Sequence, residues 1–253
     1  MREVVKVIPG HSTSDGAGVK LNRLFSRDEA ALMDPFLMLD HFGSDRPEDY
    51  RNGFPMHPHR GIETVTYMLE GYVDHRDSLG NQGTIGPGDV QWMTAGSGIL
   101  HEEMPRDSGG AMHGLQLWVN LPGPCKMIPP RYRGIRAEEI PVVDMGHGSL
   151  IKVISGESEG KVGPVKDLAI DVKYLDVHLS SRTVLEHETE GDRNAFIMVY
   201  QGSFDIGGNP VTVKAGSVAV LGPGDTVKVS AGKSPSKLIY VAGQPLREPI
   251  SWG

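Results

Sequence analysis

In Glu63-Thr64-Val65-Thr66-Tyr67-Met68-Leu69-Glu70-Gly71, residues Glu63 to Leu69 read as one β-strand, because the run is β-branched and aromatic and Gly71 closes it. The pattern recurs later in the chain. Met68-Leu69-Glu70-Gly71-Tyr72-Val73-Asp74 is echoed by Val199-Tyr200-Gln201-Gly202-Ser203-Phe204-Asp205, and the stretch from Gly88 to Gly96 by that from Gly216 to Gly224. In each half an apolar strand ends in glycine and a hairpin returns to a second strand flanked by glycines. Two copies indicate a domain duplication and not a solenoid. Further strand-like runs lie at 89–94, 113–121, 150–154, 168–179, 226–229 and 237–241, with turn signals between them. The 33 glycines and 18 prolines are dispersed along 253 residues, which forbids long helices. Ser26 and Glu29 form a capping box, but Pro35 stops that segment almost at once. The expected fold is all-β, with two tandem antiparallel β-barrel or jelly-roll domains over residues 1–130 and 131–253. Their boundary falls in 122–142, where the Pro-rich segment Pro122 to Pro130 is the candidate linker.

Composition narrows the functional classes. The formal net charge is −7, the wrong sign for a whole-surface nucleic-acid binder, so no direct nucleic-acid contact is expected. Cys125 is the single cysteine, which permits no intrachain disulfide and suits a reducing compartment. The sequence from Met1 to Ile8 does not read as a secretion signal, and no window reads as a membrane span. The expectation is a soluble cytoplasmic protein, or a nuclear one in a eukaryote.

The chemistry concentrates in two short motifs. In an extended segment alternate side chains share a face, so His57 and His59 of His57-Pro58-His59 point the same way. In His101-Glu102-Glu103, His101 and Glu103 share a face and Glu102 points opposite. Taken alone, a His-x-His pair is often just surface-exposed, and Gly-Ser-Gly-Ile-Leu-His is only a loop entering a strand. Together, within one β unit and separated by a glycine-punctuated hairpin, they are far more specific. Three imidazoles and one carboxylate suit Fe(II), Mn(II), Ni(II) or Zn(II).

The spacing of Gly53, His57, His59, Glu63 and Gly71, followed by Gly88, Gly96, Gly98 and His101, resembles the two motifs of the cupin superfamily. The longer strings Pro35 to Phe42, His57 to Val65, Gln91 to Glu103 and His113 to Asn120 resemble the pirin family within it, as does Pro245 to Pro249 near the end. That resemblance implies a bicupin with one metal in the N-terminal barrel, held by His57, His59, His101 and Glu103. Iron(II) is the expected ion, with zinc, manganese, nickel, cobalt and copper as other first-row choices. Glu63 occupies the place where many cupins put their carboxylate ligand; here it is expected behind the ligands, orienting one of them.

Pirins include flavonol (quercetin) 2,3-dioxygenases, which open the flavonol heterocycle with O2 and release carbon monoxide. By that analogy Glu103 is both ligand and proton acceptor, with Glu63 and Glu102 as lesser candidates. Phe54, Met56, Trp92 and Met93 are candidates either for lining a flat pocket or for core packing. Other pirins are described as iron-dependent regulators, implying a protein partner such as a transcription factor or metabolic enzyme in place of a flavonol-like substrate and O2. A deep apolar cavity at the metal favours the dioxygenase, and a closed polar pocket the regulator.

In the second half a gap-free alignment puts Glu188 and Glu190 where His57 and His59 stand, and Val229 and Ala231 where His101 and Glu103 stand. No metal is expected there, and His178 and His187 read as ordinary polar residues. Pirins usually continue past the Glu248-Pro249 string with an extension and helix, whereas this sequence closes at Trp252-Gly253.

Overall fold

A computed structural model describes residues 1–106 and 110–250; Trp252 and Gly253 lie outside the described residues. Its described residues divide into two compact units, one within 11–31, 36–139 and 247–250, the other of residues 1–10, 32–35 and 140–246. Each is built on a pair of antiparallel sheets, one of seven strands and one of four, and the second unit adds a two-stranded ribbon of Glu157–Ser158 and Lys161–Val162. The all-β reading and the duplication both hold.

In the first unit the large sheet runs Arg131–Ile135, Val90–Thr94, Ile62–Glu70, Met112–Asn120, Phe36–Ser44, Val19–Phe25, His11–Asp15. The small sheet runs Phe54–His59, Ile99–Pro105, Val73–Asp77, Gln82–Ile85. Ile62–Glu70 is buried along seven consecutive residues. Its lack of inside–outside alternation marks a strand covered on both faces, as a near-continuous apolar and β-branched run requires. Gly71 ends it at φ +77°, where a Cβ would come within 2.8 Å of the Ala111 carbonyl oxygen. Val19, Leu21, Phe42, Met68, Val73, Ile85 and Met112 pack between the sheets.

The second unit repeats the plan. Its large sheet runs Val4–Pro9, Ser217–Leu221, Asn194–Gln201, Ser236–Gly243, Val172–Leu179, Ser149–Ser155, Val142–Gly146. Its small sheet pairs Val184–Glu188, Thr226–Ala231, Ser203–Ile206 and Val211–Lys214. A continuous cluster from Ile151 and Val153 through Phe204, Val229 and Ala242 fills the interior.

Strand pairing departs from a division at 130/131 in two places. Val4–Pro9 pairs with Ser217–Leu221 as an edge strand of the second unit. The buried Arg2 side chain fixes its start, donating from Nη1 to Gly222 O (2.8 Å), from Nη2 to Arg193 O (2.8 Å) and from Nε to Thr189 Oγ1 (3.0 Å). At the other end Arg131–Ile135 stays with the first unit, hydrogen-bonded along Val90–Thr94. The Pro-rich stretch is therefore a connection within the first unit, and the chain passes to the second at Ile140.

Candidate metal centre

The Phe54–His59 and Ile99–Pro105 strands are antiparallel neighbours with His57 opposite His101 and Ile99 opposite His59. The turn before Ile99 depends on Gly96, at φ +50°, where a Cβ would lie 2.1 Å from Ile128 O. Alternation then brings three imidazoles to one point, as the motif spacing predicts. His57 Nε2 lies 3.1 Å from His59 Nε2 and 3.0 Å from His101 Nε2, and the potential ligand atoms of all three lie within 4.8 Å of one another.

Their protonation follows from their surroundings. His57 Nδ1 is 2.8 Å from Pro55 O. A carbonyl only accepts, so Nδ1 carries the proton and Nε2 presents a lone pair to its neighbours. Burial, reinforced by the adjacent imidazoles, lowers His59 and His101 to about 3. Both are neutral, the form that binds a metal. Imidazole donors at right angles around an ion, each ~2.0–2.1 Å from it, sit about 3 Å apart. The two Nε2 spacings match that value, so these residues fit a first-row divalent ion.

Glu103 stands outside the three-histidine group. It is buried, lies opposite His75 on the neighbouring strand, and accepts from Thr66 Oγ1 through Oε1 at 3.0 Å. Burial raises its carboxyl above the ordinary range, while His57 and His75 oppose the shift. Thr66 Oγ1 also lies 2.5 Å from Gln116 Oε1 as placed. One hydroxyl has one proton, so a Gln116 turned to offer its NH2 to Thr66 would satisfy all three groups.

The other two acidic candidates sit elsewhere. Glu63 is fully buried and accepts from Trp92 Nε1 (2.8 Å) and Thr94 Oγ1 (2.6 Å), so it ties two strands together. Glu102 faces outward and pairs with Arg76, as alternation requires.

His57, His59 and Glu103 form part of the wall of a cavity of about 370 Å³. Its apolar lining comes from Leu21, Met38, Phe42, Phe54, Met112 and Trp118, and its polar lining includes Asp40 and Gln116. Trp118 meets His59 edge to face, with ring centroids 5.0 Å apart. Of the four lining candidates only Phe54 reaches the cavity. Trp92 and Met93 are wholly buried in the core, and Met56 is 45% exposed. Asp40, Gln116 and Trp118 lie inside the family-like strings and Thr66 one residue beyond another, but nothing in those strings marks them as cavity lining; the pairing of three strands far apart in sequence brings them together.

In the second unit, Val184–Glu188 turns Leu185 and His187 inward, opposite Val229 and Val227, and leaves Glu188 exposed. Glu190 pairs with Lys173 at 2.9 Å. The gap-free alignment thus misplaces the inward pair: apolar side chains face His187, and burial lowers it to about 4. His178 bonds Asp176.

Three clustered imidazoles on the small sheet of a two-sheet barrel, repeated as a second barrel with a filled interior, define a bicupin whose first barrel carries a triad able to hold a metal ion. The Pirin family model matches residues 18–119 and the Pirin C-terminal cupin domain residues 174–253, and the chain belongs to the pirin family. A pirin-like protein of Caulobacter vibrioides is 49% identical over all of this chain and 91% of its own length. The crystal structure of quercetin 2,3-dioxygenase from Acinetobacter baumannii superposes with a TM-score of 0.91 at 33% identity, covering 100% of this chain and 91% of that one. A bacterial pirin from Escherichia coli, solved in complex with nickel(II), shares the fold at 22% identity and a TM-score of 0.74, covering 95% of this chain and 98% of that one. Among the described residues no helix is long and apolar enough to cross a membrane.

Proposed function

We propose that the protein is an iron(II)-dependent dioxygenase that opens a flavonol with O2. The observation that carries this reading is the 370 Å³ cavity, walled mostly by apolar and aromatic side chains, against which His57, His59 and Glu103 are set. A regulator that only displays its metal has no need of such a space.

His57, His59 and His101 would hold the ion, with Glu103 as fourth donor. When bound, it supplies the redox path that lets a closed-shell flavonol react with O2. Four protein donors on an ion that takes six leave room for two further ligands. Glu103 has one oxygen held by Thr66, and its other oxygen accepts the proton of the flavonol 3-hydroxyl. Phe42, Phe54 and Met112 exclude water from the ring, and Trp118 braces His59. A cytoplasmic setting, which the free Cys125 suits, keeps the iron ferrous.

The test is anaerobic loading with Fe(II), then air and quercetin, following flavonol loss and carbon monoxide release. Full iron occupancy with quercetin untouched would overturn the reading and favour a protein partner that responds to the iron's oxidation state.

A further inference from the structure

The inner face of the first unit's large sheet carries one polar row across the cavity wall. Strand register lines it up: Thr66 opposite Gln116, Gln116 opposite Asp40, Asp40 opposite Arg23. The next row on one side is Met68, Gly114, Phe42 and Leu21, and that on the other is Thr64, Trp118 and Met38, with no charged member in either. A wall serving packing alone would be apolar throughout, since buried polar groups cost free energy unless they are used.

Asp40 is the charged member that reaches the cavity deepest in the fold, at 3% exposure. Arg23 clamps it through both oxygens, Nε to Oδ1 at 2.9 Å and Nη2 to Oδ2 at 2.8 Å. The clamp fixes the carboxylate plane and still leaves each oxygen a second lone pair. Such a group takes a hydrogen-bond donor and repels an anion. Apolar and aromatic surfaces above and below it suit the faces of a planar ring.

We infer that Asp40, seconded by Gln116, is the specificity-determining residue of this cavity, accepting a hydrogen bond from a ring hydroxyl of a planar polyphenol. This hydroxyl is distinct from the one that gives its proton to Glu103. The inference rests on the flavonol reading above and names the substrate feature that the cavity selects.

Binding to the Fe(II)-loaded protein under nitrogen, where no turnover occurs, tests it. Tryptophan quenching would give dissociation constants for quercetin and for 3-hydroxyflavone, which lacks the other hydroxyls. Wild type should prefer quercetin by about ten- to a hundredfold, the worth of a hydrogen bond to a charged group. Asp40→Asn should cut that preference about five- to tenfold, since charge-assisted bonds are roughly twice as strong as neutral ones, with 3-hydroxyflavone binding unchanged. Gln116→Leu should act in the same direction by less, and it decides the matter if a thermal melt shows Asp40→Asn unfolded. A wild type that binds both probes equally would sink this inference and leave the dioxygenase reading standing. So would an Asp40→Asn variant that weakens both probes alike, or a preference that neither variant changes. A wild type that binds neither probe would overturn both readings.

Discussion

Thr66 reaches from the large sheet of the first unit to Glu103 on the small one, its Oγ1 3.0 Å from the carboxylate Oε1. This bond orients an acidic side chain that shares the cavity wall with His57 and His59. Thr66→Val keeps the shape and removes the donor. Metal affinity or turnover should fall ~10–100-fold, the usual effect of losing a group that orients a ligand, with the melting temperature changed little. Metal titration beside steady-state assays checks it; unchanged values in both would mean that Thr66 does not position Glu103.

His101 contributes one of the three converging nitrogens. His101→Ala should abolish tight metal binding. The fold should survive, because the core clusters of the first unit are apolar and contain none of the three histidines. Elemental analysis and a thermal melt read the two halves. Stoichiometric iron in the variant would refute the ligand assignment, and failure to fold would show that the histidine is structural.

His187, in the second unit, is buried and lowered from 6.5 to about 4, mainly by burial. A histidine kept neutral in the fold contributes fully above its unfolded value, and that contribution is lost as pH falls from about 6.5 through about 4. The loss amounts to at most about 3 kcal/mol. His187→Phe removes this acid sensitivity and also two ring nitrogens that lack partners in the structure. The variant should be at least as stable at pH 7, with a flatter decline towards pH 4 by urea unfolding. A decline as steep as wild type would show that other groups carry the acid response.

Arg2 gives its guanidinium to acceptors on Thr189, Arg193 and Gly222. Arg2→Met fills similar volume but strips those acceptors of their donor, and should destabilise the second unit by roughly 2–4 kcal/mol. Iron content should be unchanged, because the histidines belong to the other unit. Denaturant unfolding followed with metal analysis separates the two effects.

The histidine cluster was legible because alternation is a local rule and His57-Pro58-His59 obeys it within three residues. Glu63 shows where that rule stops. Alternation says which face a side chain takes, but on a strand buried on both faces it does not say whether that face meets the ligands or the next strand. The polar row from Thr66 to Asp40 depends on register among strands that the chain visits out of order, which no motif records. The misplaced Glu188 and Glu190 have a similar origin: a gap-free alignment preserves spacing, whereas the hairpins of the two barrels differ in length.

The pairing of Val4–Pro9 with Ser217–Leu221 has a consequence in time. At ~5–20 residues per second, a ribosome makes the first of these strands roughly 10–40 s before the second. Throughout that interval the early strand has no partner. The first unit needs nothing before His11, so almost all of its strands can close while the early strand waits. Once Ser217–Leu221 emerges, its free edge will accept whichever strand arrives, from the same chain or from another. A chain begun at His11 would keep every histidine of the cluster and leave that edge open. Its characteristic failure should be strand-mediated self-association, seen by light scattering, well before any loss of metal.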